Sequence, residues 1–123
     1  MRRSMACLVV TIVVGGLVWI TTASGADLAA GKKIYEQKCL NCHGADGKGN
    51  PVIEKVLKKE IPDFTETDLL KLSKAKREQL EQEFRKVIAE GKPPMPTFGK
   101  SLAKEDQESV LEYMKKTFMK GGK

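Results

Sequence analysis

Two cysteines and one histidine lie close together in the segment Cys39-x-x-Cys42-His43, with Gly44 directly after it. On a helix, residues three apart lie on the same face, so Cys39 and Cys42 can present both sulfurs to one side. His43 follows the pair and can offer an imidazole nitrogen to a metal. This spacing is the attachment pattern of c-type haem. It predicts one covalently attached haem c, held by thioether bonds to Cys39 and Cys42, with His43 as an axial ligand of the iron.

Two other kinds of site also use closely spaced cysteines. A thioredoxin-like dithiol has the same spacing but occurs beside a βαβ unit, and this sequence contains no convincing strand pattern. A structural zinc site needs four ligands. His43 is the only histidine and the third cysteine, Cys7, belongs to the N-terminal apolar segment, so zinc would have to recruit a carboxylate. Both alternatives remain open at this point, and the haem interpretation is favoured.

A methionine further along the chain, Met95, lies among three of the five prolines, in the segment 92–96. Proline fixes φ and removes the amide donor, so this segment predicts a stiff loop. A thioether is a soft ligand for iron, and Met95 is the predicted second axial ligand. The alternative is a structural turn in which Met95 fills a gap. Met114 and Met119 are less suitable, because we expect them to face the core from the last helix.

The N-terminus has the pattern of a signal peptide over residues 1–26. Arg2 and Arg3 precede an apolar run, and small residues follow it up to Ala26. This predicts export to the periplasm or to the outer face of the cytoplasmic membrane. The alternative is an uncleaved membrane anchor formed by residues 5–23. Cleavage would leave a single domain, residues 27–123, and would lower the formal net charge from +6 to +4.

The domain is predicted to be all-α, with helices over about 28–42, 52–59 and 104–120 and another centred on an apolar stripe. Asp27 is the predicted N-cap of the first helix, and close approach of another helix is expected at Gly31. The apolar stripe is expected to face the core; its residues are Leu80, Phe84, Val87 and Ile88.

The connections between the helices carry further signals. Gly91 is the predicted stop of the stripe-bearing helix. The glycine-rich segment 44–50 is predicted to be a loop around the haem edge. Residues 65–68 have the form of a capping box that would start a helix, with the three leucines after it, Leu69, Leu70 and Leu72, facing the core.

The mature chain resembles the class I, monohaem cytochrome c family over nearly all its length. The resemblance is carried by Gly31-x-x-x-Tyr35-x-x-x-Cys39-x-x-Cys42-His43-Gly44, by Pro62-Asp63-Phe64, by Val87-Ile88 with Gly91-Lys92 and Met95-Pro96-Thr97-Phe98, and by Tyr113-Met114. It implies a small cytochrome c fold, in which the N- and C-terminal helices cross and the chain surrounds one covalent haem. It also implies that Cys39 and Cys42 hold the haem and that His43 and Met95 are the axial ligands.

With both axial positions filled, the iron has no open site, so the expected function is one-electron transfer between periplasmic or membrane-bound redox partners and not catalysis. The alternative is a five-coordinate haem that acts as a gas sensor or a peroxidase-like enzyme, if Met95 is not a ligand. The net positive charge indicates partners with acidic docking surfaces, and the scattered basic residues argue against nucleic acid. The docking rim is predicted at Lys38, Lys48, Lys92 and Lys100.

Overall fold

The structure is a computed structural model that describes residues 25–120. Its regular elements are α1 (Leu28–Ile34), a π-helical turn (Tyr35–Cys39), α2 (Leu40–His43), α3 (Pro51–Leu57), a 3-10 turn (Phe64–Glu66), α4 (Lys74–Glu90) and α5 (Lys104–Thr117). Within that range β-type pairing is confined to two isolated bridges, Asp68 with Lys120 and Lys92 with Met95. The all-α class predicted from the sequence is confirmed.

The predicted N-terminal helix is present, but it is not a uniform α-helix. Asp27 caps it as expected, since its carboxylate accepts hydrogen bonds from the amides of Ala29 at 2.9 Å and Ala30 at 3.3 Å. The π-helical turn then connects α1 to α2, and Gly44, with φ of +77°, ends the stretch. A π-helical turn inserts one residue into the helical repeat and is frequent at functional sites. Here it leads directly into the Cys39–His43 segment.

Helices α1 and α5 cross at Gly31, where the backbones come close together. A Cβ atom at Gly31 would lie 2.0 Å from the carbonyl oxygen of Ser109 and 2.9 Å from Cβ of Tyr113. The amide of Asp27 also donates to Oγ of Ser109 at 3.0 Å. The rings of Tyr35 and Tyr113 pack 5.6 Å apart. The close approach at Gly31 is therefore confirmed, and so is the crossing of the terminal helices.

Ser73 caps the N-terminus of helix α4, because its hydroxyl accepts a hydrogen bond from the amide of Lys76. Gly91, with a positive φ of +75°, ends the helix as predicted. Ion pairs join α4 to α5. Lys115 Nζ lies 2.9 Å from a carboxylate oxygen of Glu81.

The prediction of a capping box at residues 65–68 is wrong. Asp63, two residues earlier, accepts from both the amide and the hydroxyl of Thr65 and caps the 3-10 turn, so no α-helix starts there. Asp68 instead accepts from the amide of Leu70 in a turn. That turn directs Leu70 outwards, where it is 76% exposed, while Leu69 is buried as predicted and Leu72 is half-buried.

The other helix ends differ from the predictions by a few residues. Helix α3 stops at Leu57 because Lys58 adopts a left-handed conformation, with φ of +51°. Helix α5 stops at Thr117, so Met119 lies after the helix and not on it. It is nevertheless buried, and its carbonyl accepts a hydrogen bond from the amide of Leu69.

The core is formed by ten buried apolar side chains: Tyr35, Phe64, Leu69, Ile88, Phe98, Val110, Leu111, Met114, Phe118 and Met119. The expectation that Met114 and Met119 belong to the core is confirmed. The stripe on α4 was expected to be core, but only Ile88 is fully buried.

No helix within residues 25–120 is long and apolar enough to cross a membrane. The predicted signal peptide, residues 1–26, lies outside the described residues apart from its last two positions. The alternative anchor, residues 5–23, lies wholly outside them.

Candidate functional site

A cavity of about 420 Å³ lies between the Cys39–His43 segment, helix α4 and the loop that carries Met95. Its walls are mostly apolar, and they include Leu57, Ile61, Phe64, Leu80, Phe84 and Val87. The three half-buried residues of the α4 stripe therefore face the cavity; they are Leu80, Phe84 and Val87. Pockets of this size, apolar with a few convergent polar groups, are typical of cofactor sites.

All four predicted site residues line this one cavity: Cys39, Cys42, His43 and Met95. The π-helical turn and α2 carry the first three of these residues. Met95 lies in the loop that follows α4. The structure therefore brings together two thiols, one imidazole and one thioether around an apolar space.

The two cysteines are half-buried and are not joined by a disulfide. Burial, and to a smaller extent the neighbouring Cys42, raise the pKa of the Cys39 thiol to about 11. Cys39 is consequently a thiol at neutral pH. Both sulfurs border the cavity, as two thioether bonds to one porphyrin edge require.

His43 is held by packing against an aromatic ring. Its imidazole stacks on Phe64 with ring centroids 4.7 Å apart and an angle of 21° between the rings. Burial lowers the pKa of His43, which favours the neutral imidazole that metals bind. Its Nδ1 atom is buried and has no hydrogen-bond partner. Because no hydrogen bond fixes Nδ1, contact with Phe64 orients the ring.

The loop of Met95 is fastened to its surroundings at several points. Lys92 and Met95 exchange two backbone hydrogen bonds, of 3.2 and 2.8 Å. The hydroxyl of Thr97 donates to the carbonyl of Ala89 on α4 at 2.5 Å. Lys59 reaches across from the other side and donates its ammonium to the carbonyl of Pro93 at 2.7 Å. These contacts hold Met95 at the cavity wall.

A second methionine, Met114, also lines the cavity from α5. It is 5% exposed and forms part of the core, whereas Met95 is only half-buried and lies on a loop. Met119 does not reach the cavity wall. The choice of sulfur ligand is thus between Met95 and Met114.

The glycine-rich loop, residues 44–50, does not form a wall of the cavity, so the expectation that it surrounds the haem edge is not met. It packs inwards instead. A Cβ atom at Gly47 would lie 2.7 Å from the ring of Phe118, and the carbonyl of Gly47 accepts a hydrogen bond from the amide of Phe64. The loop therefore supports Phe64, the residue that orients His43.

Two of the four lysines predicted as a docking rim, Lys38 and Lys92, lie at the cavity. Lys48 and Lys100 are exposed but do not line it. Sequence reasoning missed Lys59, which does line it. No local signal could have identified Lys59, because its contact with Pro93 joins positions 34 residues apart.

The side chains at the cavity fit a haem better than a zinc ion or a thioredoxin-like dithiol. Between residues 25 and 120, no three side chains among His, Cys, Asp and Glu come together as a metal-binding group. The cavity offers paired thiols on one side, an imidazole with an unpartnered buried nitrogen, and a thioether from a separate element. These are the groups that hold haem c in a protein.

Comparisons with known proteins also support a haem-binding protein. A family model described as cytochrome c oxidase, cbb3-type, subunit III matches residues 26–114. The chain is similar to cytochrome c6 of Gracilaria tenuistipitata var. liui, with 33% identity over 93% of each chain. It is also similar to cytochrome c6 of Gloeothece citriformis, with 26% identity over 98% of this chain and 99% of the relative. A shorter match, 45% identical over 40 residues, covers 14% of the cbb3-type cytochrome c oxidase subunit FixP of a Bradyrhizobium species.

Proposed function

Because the chain belongs to the class I, monohaem cytochrome c family, we propose that it carries single electrons between redox proteins with its iron held by His43 and Met95. The family membership makes it a c-type cytochrome with a covalently bound haem c, and an electron-transfer protein and not an enzyme. The single observation that supports the ligand assignment is the convergence of Cys39, Cys42, His43 and Met95 on one apolar cavity.

In this proposal Cys39 and Cys42 would form the two thioether bonds, and an imidazole nitrogen of His43 would bind the iron. Stacking on Phe64 fixes the plane of the imidazole. Met95 would provide the second ligand from a loop fastened to α4 and to Lys59. A thioether is a weak ligand, so a loop that is already ordered reduces the entropy lost when the bond forms.

The bound haem supplies a one-electron iron couple, which methionine ligation shifts to higher potential. The chain contributes the surroundings of that couple. Apolar side chains from α4, among them Leu80, Phe84 and Val87, line the cavity and exclude water. A dry and rigid environment changes little when the charge on the iron changes, so little reorganisation opposes electron transfer.

We infer that the protein is exported and works as a free carrier in the periplasm or at the outer face of the cytoplasmic membrane. The N-terminal pattern of residues 1–26 supports export. The chain covers 93 to 99% of the length of the two cytochromes c6 and only 14% of the oxidase subunit, which supports a free carrier, although the family model that matches residues 26–114 is described as an oxidase subunit. The exposed lysines at the cavity mouth, Lys38, Lys59 and Lys92, support partners with acidic docking surfaces.

The test compares two methionine variants of the haem-containing protein, Met95→Leu and Met114→Leu, by optical spectroscopy. If Met95 is the ligand, Met95→Leu loses the far-red charge-transfer band of the ferric form and its ferrous form binds carbon monoxide. Met114→Leu, the matched control in the same cavity, keeps the band and excludes carbon monoxide. The opposite pattern would assign the ligand to Met114. Ready carbon monoxide binding by the unmodified protein would favour the sensor or peroxidase-like alternative.

A further inference from the structure

Lys59 forms a hydrogen bond across the mouth of the cavity. Its ammonium donates to the carbonyl of Pro93 at 2.7 Å, although the two residues are 34 positions apart in sequence. Lys59 is exposed and also borders the cavity, so its side chain lies where the apolar space opens to solvent. Among the hydrogen bonds of residues 25–120, this is the one that joins the region of α3 to segment 92–96, which carries Met95.

Segment 92–96 has few hydrogen-bond donors of its own. Its three prolines lack an amide hydrogen, and the amides of Lys92 and Met95 donate to each other's carbonyls. On the C-terminal side of Met95, Thr97 fastens the chain to the carbonyl of Ala89 on α4. On the N-terminal side, the bond from Lys59 fastens the segment to another part of the protein. Met95 thus lies between two anchors, and Lys59 supplies one of them.

The backbone that carries Lys59 is fixed on both sides. Lys58 ends α3 in a left-handed conformation, with φ of +51°. The amide of Lys59 donates to the carbonyl of Glu54 at 3.2 Å, and the carboxylate of Glu54 accepts from the amide of Ile61 at 2.9 Å. These contacts fix the point from which the lysine side chain extends. Less conformational entropy is therefore lost when the bond to Pro93 forms.

Helix α3 is in turn joined to the Cys39–His43 segment. Asn50, which caps α3, donates its side-chain amide to the carbonyl of Asn41 at 2.9 Å, and Asn41 lies between the two cysteines. Contacts therefore run continuously from that segment through α3 to Lys59 and Pro93. Lys59 links the element that carries three of the proposed haem-binding residues to the loop that carries the fourth.

We propose that Lys59 is a positioning residue for Met95, because it fastens segment 92–96 across the cavity mouth and thereby controls how readily a small ligand displaces Met95 from the iron. This inference rests on the proposed function, since it concerns the same axial ligand. An external ligand binds only when Met95 has left, so its apparent affinity rises with the population of that open state. Without the bond from Lys59, the segment is anchored on one side of Met95 only, and the open state is more populated.

The first test measures imidazole binding to the ferric haem-containing protein, followed by loss of the far-red charge-transfer band. At about pH 8 imidazole is mostly neutral, so a change in protein charge does not alter its attraction to the cavity. Lys59→Met removes the ammonium and keeps an unbranched side chain. Lys55→Met is the matched control, because it removes the same charge from an exposed position of α3 that does not border the cavity.

Lys59→Met is expected to bind imidazole roughly tenfold more tightly than the unmodified protein, because a hydrogen bond from a charged donor is lost. Lys55→Met is expected to bind it with unchanged affinity. Hydrogen exchange gives a second measurement that does not use a ligand, since the bonded amides of Lys92 and Met95 report on opening of the loop. In Lys59→Met, exchange is expected to accelerate in the peptide spanning 92–99 and to stay unchanged elsewhere.

Two results would overturn the inference and leave the proposed function intact. One is equal imidazole affinity in Lys59→Met and Lys55→Met, which would mean that the bond to Pro93 does not restrain Met95. The other is faster exchange throughout the chain of Lys59→Met with a lowered denaturation midpoint, which would mean that Lys59 supports the whole fold and not the loop. If Met95→Leu keeps the far-red band, Met95 is not the ligand, and the proposed ligand assignment fails together with this inference.

Discussion

Substitution of Gly31 by alanine tests the crossing that holds the N-terminal helix, and with it the Cys39–His43 segment, against α5. In an isolated helix this change is stabilising by about 1 kcal/mol, because glycine loses more backbone entropy than alanine. Here the new Cβ atom would lie 2.0 Å from the carbonyl oxygen of Ser109, and real Cβ atoms essentially never approach a neighbour within 3.0 Å. The two helices must therefore separate by about 1 Å at this point.

The separation cannot be avoided by a side-chain rotation, because both clashing atoms are attached to backbone. It would loosen the best-packed part of the core, where Tyr35, Val110 and Leu111 are each at most 2% exposed. Overpacking typically costs about 1 to 3 kcal/mol, and the strain at Gly31 belongs at the upper end of that range. After the helix-propensity gain of about 1 kcal/mol is subtracted, Gly31→Ala is expected to lower the free energy of unfolding by about 2 kcal/mol.

The assay is chemical denaturation of the haem-containing protein, followed by far-ultraviolet circular dichroism. The control is Ala29→Gly, an exposed position in the same helix, where the opposite substitution is expected to cost about 1 kcal/mol by propensity alone. If Gly31→Ala has the same stability as the unmodified protein, or a higher one, the two backbones are not in contact and the reasoning is refuted.

Two further substitutions test contacts around the site. Tyr35→Phe removes the hydroxyl that donates to the carbonyl of Gly44 at 2.7 Å; denaturation should show a loss of about 1 kcal/mol, and an unchanged midpoint would mean that water satisfies this carbonyl equally well. Asp63→Ala tests a carboxyl whose pKa is lowered, chiefly by the hydrogen bond from the hydroxyl of Thr65. A carboxyl with a lowered folded-state pKa stabilises the protein fully above its unfolded pKa of about 4 and loses that effect as the pH falls through the folded value. The stability gap between the unmodified protein and Asp63→Ala should therefore narrow on acidification, and a gap that does not depend on pH would contradict this.

Features set by local spacing could be predicted from the sequence. The Cys39-x-x-Cys42-His43 pattern specifies its own geometry, because helical residues three and four apart lie on one face whatever surrounds them. Gly31 could be recognised as a crossing point for a similar reason, since a glycine within a helical pattern needs a compensating contact. The stop at Gly91 follows from its ability to adopt positive φ.

Features set by competition between equivalent local signals could not be predicted. Residues 65–68 fit a capping box, but Asp63 offers the same type of acceptor two residues earlier and takes the amide and hydroxyl of Thr65. Whether Leu70 faces the core or the solvent depends on which of these acceptors caps the turn. An apolar residue next to two others was expected to face the core, and the turn at Asp68 placed it in solvent instead. Short patterns of this kind do not determine the register of a turn.

Contacts between distant segments could not be predicted from the sequence either. The hydrogen bond from Lys59 to the carbonyl of Pro93 joins two loops that have no shared pattern. The stacking of His43 on Phe64 could not be predicted either. The sequence shows an aromatic residue at position 64, but it does not show that this ring packs against His43. Each of these contacts positions a proposed axial ligand, so the part of the site that sequence reasoning missed is its supporting structure.

The helices α3 and α4 show why an apolar pattern alone does not reveal its role. Both carry apolar residues four apart, yet Leu80 and Phe84 of α4 face the cavity, whereas Val52 and Val56 of α3 face solvent. The difference comes from a polar contact: the carboxylate of Glu54 binds the amide of Ile61 and turns the opposite face of α3 outwards. The same apolar spacing therefore faces the cavity in one helix and solvent in the other, because polar contacts, and not the spacing alone, decide which face of α3 points outwards.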